Sequence, residues 1–144
     1  MRILSHSESD TFNAGIALSK SLCGGGIVLP SGFLGAGKTV FTKGIADGLG
    51  VTDEVLSPTF QLMREYKTKN GLTLCHIDAY RLKNADEAEE AGIAEVIGAQ
   101  DTITVVEWHE NIAELFYKRK VIFVTLRPTG ETSREIIIEE RKII

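Results

Sequence analysis

The sequence lacks the features that would place it in a membrane, in a disulfide scaffold or directly on a nucleic acid. Its only two cysteines, Cys23 and Cys75, stand far apart with no C-x-x-C and no Cys/His cluster nearby. That spacing argues against a zinc site or a disulfide and is expected of reduced, mostly buried thiols. No apolar run approaches the roughly 20 residues that a membrane-spanning helix needs, and the opening M-R-I-L-S-H-S-E lacks the apolar core of a signal peptide. The expected compartment is the cytoplasm, without membrane contact. A basic excess is also missing: 16 Lys and Arg stand against 20 Asp and Glu, a net charge of −4, whereas gripping a phosphodiester backbone needs a basic face. The triplet Lys118-Arg119-Lys120 is either a small basic patch or, as the simpler expectation, a solvated strand start. There is no low-complexity tract, linker or internal repeat. With 144 residues, long enough for one core and short for two, the chain is expected to be a single domain, 1–144.

What is present is a series of short patterned segments. Apolar or small residues at Phe12, Ile16, Ala17 and Leu22 share one face of a helix over 7–22, with Ser7 or Ser9 as its cap and Gly24-Gly25-Gly26 as its end. Ile27-Val28-Leu29 reads as a buried strand. Phe41, Ile45 and Leu49 predict a helix over 38–49 that Gly50 stops. Residues 59–66 and 72–80 are strand-like around the turn dipeptide Asn70-Gly71 and predict a hairpin. A short helix over 86–91 and a second helical piece over 93–97 flank Gly92. A buried strand over 102–106 ends at Glu107, and 120–126 with 134–140 predict a second hairpin. The implied fold class is α/β: a P-loop NTPase-like domain with a mixed parallel and antiparallel sheet and flanking helices.

The chemistry gathers between the first buried strand and the helix that follows. Gly32-Phe33-Leu34-Gly35-Ala36-Gly37-Lys38-Thr39 satisfies G-x-x-x-x-G-K-[ST] at every required position and lies in the required strand-loop-helix context. Glycines let successive N–H groups turn toward an anionic phosphate, and the helix N-terminus adds its positive end. In such a loop Lys38 reaches the β- and γ-phosphates and the Thr39 hydroxyl sits on Mg²⁺. A further carboxylate is expected at the end of a neighbouring buried strand, and Asp78 and Glu107 both stand there. For each the competing explanation is a carboxylate that caps the next turn or pairs with an arginine such as Arg81. His76 shares a strand face with Asp78, so a metal pair is conceivable, but a satisfied strand histidine is the simpler expectation. Ser57-Pro58-Thr59 is either a switch-like loop whose Thr59 hydroxyl senses the γ-phosphate and Mg²⁺, or a turn that starts a strand.

The ordered set S-E-S-D-T, G-F-L-G-A-G-K-T, L-S-P-T-F, H-I-D-A-Y-R-L, E-A-G-I and V-V-E-W resembles the TsaE (YjeE) family over nearly the whole chain. These are the small bacterial P-loop ATPases of tRNA threonylcarbamoyladenosine (t6A) biosynthesis. The resemblance implies that Gly35, Ala36, Gly37, Lys38, Thr39 and Val40 cradle the phosphates of ATP or ADP, that Thr39 and Glu107 bind Mg²⁺, and that Asp78 supplies the acid needed for hydrolysis. It also places Trp108 beside the nucleotide and Thr11 in contact with it. The implied partners are the TsaB and TsaD proteins, with tRNA reached mainly through that assembly. Three positions depart from the family pattern: Phe33 replaces an acidic residue, Val40 a Thr or Ser, and His109 a proline.

Two other functions compete. A stand-alone small-molecule kinase needs an acceptor pocket and an Arg- or Lys-bearing lid, and the chain has no obvious Arg-rich insertion to supply one. A nucleotide-gated binding module with negligible turnover fits the substitutions at Phe33 and Val40. A guanine-specific switch lacks its N/T-K-x-D segment, which Lys83-Asn84-Ala85-Asp86 does not match.

Overall fold

The computed structural model describes residues 1–33, 35–56, 58 and 61–144. In chain order the elements are β1 (Arg2–Ser5), α1 (Glu8–Ser19), β2 (Ile27–Ser31), α2 (Lys38–Gly48), β3 (Met63–Lys67), β4 (Thr73–Asp78), α3 (Ala85–Glu90), β5 (Thr102–Glu107), β6 (Lys120–Pro128) and β7 (Arg134–Lys142). A 3₁₀ segment, His109–Phe116, follows β5 and is broken by a non-helical backbone at Ile112.

The strands make one sheet ordered β1-β7-β6-β2-β5-β4-β3. β6, β2, β5 and β4 run parallel, and antiparallel partners extend both sides: β7 and β1 beyond β6, β3 beyond β4. This is the mixed α/β sheet expected from one P-loop unit and two hairpins. Alternation along the central strands feeds two cores. Val28, Leu74, Ile103 and Val105 pack with Ala14 and Leu18 of α1 and Phe41 and Ile45 of α2. Ile27, Leu29, Ile77 and Val106 pack on the other face with Ala88 of α3, Ile93, Ile97, Ile112 and Phe116. Both faces are covered, which is why the parallel strands read as continuous apolar runs.

α1 and α2 approach unusually closely. A Cβ on Gly44 would lie 2.0 Å from the Phe12 carbonyl oxygen, and one on Gly15 would lie 2.2 Å from that of Phe41. Only glycine lets the two backbones meet at this crossing.

Several expectations change. Residues 2–5 form an edge strand, β1, that carries no recognisable sequence signal. The segment 93–97 is not a helix but a series of hydrogen-bonded turns, including Ile93 N–H to Ala88 O and Val96 N–H to Ile93 O, between Gly92 and Gly98, both at φ +79°. It is too short to repay helix nucleation. Of the two thiols only Cys75 is buried, while Cys23 is exposed. Burial, with the charges of Glu65 and Asp101 nearby, pushes the Cys75 thiol up to about 12. Among the described residues no helix is long and apolar enough to cross a membrane.

Candidate functional site

Three strand ends meet above the parallel part of the sheet, where open α/β folds place ligands. β2 ends at Ser31 and enters the glycine-rich loop, while β4 and β5 end in register at Asp78 and Glu107. Alternation puts Leu74, His76 and Asp78, and likewise Ile103, Val105 and Glu107, on the face that carries α2.

The loop is held tightly at its base. A Cβ on Gly32 would lie 2.5 Å from the Leu126 carbonyl oxygen of β6. The Ala36 N–H closes the turn onto the Phe33 oxygen at 2.9 Å. Gly37, at φ 103°, starts α2 in a left-handed conformation and gives no side-chain cap. In contrast, Ser7 caps α1 by accepting from the Asp10 N–H at 3.1 Å, and Asn84 caps α3 by accepting from the Glu87 N–H at 3.0 Å. Among the described residues no side chain caps the N-terminus of α2, whose first-turn amides keep the helix's positive end.

Lys38 projects from that first turn. Its Nζ lies 3.8 Å from Glu107 Oε1 and 5.5 Å from the centre of the Trp108 ring. The other carboxylate oxygen, Oε2, is 2.7 Å from Nε2 of His76, which is fully buried. Burial pushes the Glu107 carboxyl up, but the His76 hydrogen bond, the His76 charge and the Lys38 ammonium together bring it below its ordinary value. The carboxylate stays ionised and fixed, with Oε1 on the Lys38 side. His76 is bonded to Glu107 rather than paired with Asp78, and only half satisfied, because its Nδ1 is buried without a partner among the described residues. Asp78 caps the next turn, accepting at Oδ1 from the Tyr80 N–H at 3.0 Å.

Trp108 leaves β5 in a left-handed conformation, φ 58° and ψ 37°, which costs a non-glycine residue about 1–2 kcal/mol. This turn carries the indole over Lys38 and edge-on to Tyr80, with ring centres 5.0 Å apart. The proline position of the family pattern, His109, opens the 3₁₀ segment and packs edge-on against Phe116 and Phe123. Burial holds its imidazole below the ordinary value, against the opposing charge of Glu110.

These groups surround a cavity of about 850 Å³, within the range of small-molecule sites. Its wall is made by His6, Ser7, Glu8 and Thr11 at the start of α1, by Gly35, Gly37, Lys38, Thr39 and Val40, by Asp78, Tyr80, Glu107 and Trp108, and by Glu131, Thr132 and Arg134 from the β6–β7 hairpin. Thr11 is held in place by a 2.7 Å hydroxyl pair with Ser5 of β1. Of the residues singled out from the sequence, Gly32 and Ala36 do not line the cavity, and Ser57 and Thr59 lie outside the described residues. Phe33 is 82% exposed. The hairpin residues, above all Arg134, escaped the sequence analysis. No motif marks them, because they come within reach of the loop only when β7 pairs with β6.

Residues 5–136 match the family described as threonylcarbamoyl adenosine biosynthesis protein TsaE. Proteins named tRNA threonylcarbamoyladenosine biosynthesis protein TsaE are similar across most of the chain. The one from Treponema pallidum is 37% identical, covering 96% of this chain and 99% of its own. That from Streptomyces coelicolor is 39% identical over 85% and 82%, and that from Bacillus subtilis 42% identical over 78% and 68%. The crystal structure of YdiB from Bacillus subtilis superposes with a TM-score of 0.79 at 28% identity, covering 99% of this chain and 85% of that one. With this length of match and these identities, the chain belongs to the TsaE family of threonylcarbamoyl adenosine biosynthesis proteins.

Proposed function

We propose that the cavity binds ATP with Mg²⁺ and that the chain, as a single cytoplasmic P-loop domain, hydrolyses it to support turnover of the t6A-forming assembly. In that role it acts with TsaB and TsaD and reaches tRNA through them. The observation that carries this is the uncapped N-terminus of α2, with Lys38 beside it, opening into the cavity. The Gly35 to Val40 segment cradles the phosphates through its loop and first-turn amides other than that of Ala36, which is engaged by Phe33, and Lys38 exchanges its contact with Glu107 for the β- and γ-phosphates. Asp78 orients the attacking water, Trp108 flanks the nucleotide, and Thr11 contacts it from α1. Gly32 acts at a distance, by letting the loop pack against β6.

The donors present suit a hard cation. The Thr39 hydroxyl and the ionised Glu107 carboxylate share the cavity wall, and magnesium is commonly held by one or two carboxylates with water and substrate phosphates. Among the described residues no cluster of three or more His, Cys, Asp or Glu could hold a metal alone, in keeping with an ion that arrives with the nucleotide. Charge points the same way: among the described wall residues four carboxylates, Glu8, Asp78, Glu107 and Glu131, stand against two fixed cations, Lys38 and Arg134, so a bare triphosphate would be repelled. When bound, Mg²⁺ would neutralise charge that develops on the phosphates.

Titration with Mg-ATP, followed through the emission of Trp108, the chain's single tryptophan, tests this. Lys38→Ala should weaken binding by at least about tenfold, because it removes a charge-assisted contact. Equal binding by wild type and variant would refute the site. Reconstituted t6A formation should fall with Asp78→Ala and Glu107→Ala. Hydrolysis that stays at the buffer rate with both partners present would reduce the role to binding alone.

A further inference from the structure

The glycine-rich loop has an external brace. Arg134, at the start of β7, donates from Nε to the Ala36 carbonyl at 2.9 Å and from Nη2 to the Gly35 carbonyl at 3.0 Å, while Nη1 donates to the Ser133 carbonyl at 3.1 Å. The first two contacts span nearly a hundred residues of sequence and join the β6–β7 hairpin to the loop.

We propose that Arg134 is a positioning residue for nucleotide binding: its guanidinium pins the carbonyls of Gly35 and Ala36 and so sets the direction of the amides that follow them. The inference rests on the nucleotide assignment above. In a trans peptide the C=O and the next N–H point to opposite sides. Holding the Gly35 oxygen on Arg134 directs the Ala36 N–H away from it, where it closes the turn onto Phe33. Holding the Ala36 oxygen directs the Gly37 N–H away in the same manner.

The loop needs such a brace because its own sequence does little to order it. Gly35 and Gly37 sit at φ +82° and +103°, and a Cβ on Gly35 would meet nothing within 4 Å. A loop of unbraced glycines samples many peptide orientations, and ordering it when phosphate arrives costs conformational entropy. Orienting the carbonyls beforehand lowers that cost, which is how preorganised donors raise affinity.

The brace is itself anchored. Arg134 pairs across strands with Ser5, whose hydroxyl holds Thr11 at the cavity. The adjacent Glu135 is buried and ion-paired to Arg2 of β1 and Arg127 of β6. Guanidinium geometry suits the task, since a planar fork reaches two neighbouring carbonyls together, whereas a lysine ammonium engages one securely.

The test combines hydrogen exchange on the free protein with ADP and Mg-ATP titrations, for wild type, Arg134→Gln and Arg134→Lys. Arg134→Gln should speed exchange of the Ala36 amide, which is hydrogen-bonded to Phe33, while core-strand amides keep wild-type rates, and should weaken ADP binding about tenfold, equivalent to about 1.4 kcal/mol. Arg134→Lys should fall between. Unchanged loop exchange together with unchanged ADP affinity would overturn the proposal, as would faster exchange across the whole sheet, which would mean only lost stability. If wild type binds no nucleotide yet Arg134→Gln loosens the loop, the nucleotide assignment fails and the brace stands.

Discussion

Gly44→Ala tests how α1 and α2 are joined, and through them how the cavity keeps its shape. The added Cβ would lie 2.0 Å from the Phe12 carbonyl oxygen, about 1 Å inside the shortest contact that real Cβ atoms make. That oxygen belongs to helical backbone and cannot rotate away, so the helices must separate. Overpacking of this kind costs about 1–3 kcal/mol, and the upper end applies because no side chain can yield. Separation by about 1 Å also forfeits a substantial part of the dispersion energy across the crossing. Against this, alanine is about 1 kcal/mol better than glycine inside a helix. The expected net loss is about 2 kcal/mol, or roughly 4–8 °C in Tm for a chain of this size. Urea denaturation of the metal-free protein measures it. Gly48→Ala is the comparison: its Cβ would meet the Ser19 hydroxyl oxygen at 1.9 Å, which can rotate away, the Ser19 Cβ at 2.8 Å and the Ile16 carbonyl oxygen at 3.2 Å, so the backbones need to separate by only a few tenths of an ångström and the loss should be smaller. A Gly44→Ala protein as stable as wild type, or more stable than Gly48→Ala, would refute the steric argument. Because α1 carries Thr11 and α2 carries Lys38 and Thr39, the variant should also bind nucleotide more weakly.

Two further predictions concern the buried carboxylate. His76→Leu strands Glu107 without its hydrogen-bond donor and should cost about 1–3 kcal/mol in urea denaturation, while His76→Gln, which keeps a donor, should lose less; equal losses would show that the bond matters little. Glu107 sits below its ordinary value of 4.5 in the folded protein, so its contribution to stability is fully present above that value and is lost as pH falls through the lower folded one. Stability profiles of wild type and Glu107→Gln should therefore diverge at neutral pH and converge in acid, and parallel profiles would contradict the assigned direction.

Much of this architecture was legible because it is local. The strand-loop-helix context of Gly32 to Thr39 depends on residues adjacent in sequence, and its glycines, lysine and threonine are dictated by backbone geometry and charge. Asp78 and Glu107 could be placed because each closes an apolar run, and a buried strand presents its last polar residue at the sheet edge. Strand β1 was not legible, since a short edge strand needs neither alternation nor an apolar run when β7 supplies its only partner. The helix expected over 93–97 failed because apolar spacing there serves contact with the sheet, and five residues between left-handed glycines cannot sustain a helix.

By itself, then, the sequence determined the strand-loop-helix setting of the glycine-rich G-x-x-x-x-G-K-[ST] segment, the two strand-end carboxylates, the α/β class and the family. Tertiary structure alone decided that His76 would lock one oxygen of Glu107 while Lys38 approached the other, that Gly15 and Gly44 would let two helices touch, and that Arg134 would reach back to the carbonyls of Gly35 and Ala36. These contacts join residues about thirty to a hundred positions apart. Such pairings are fixed by strand order and register, which no local propensity or spacing encodes.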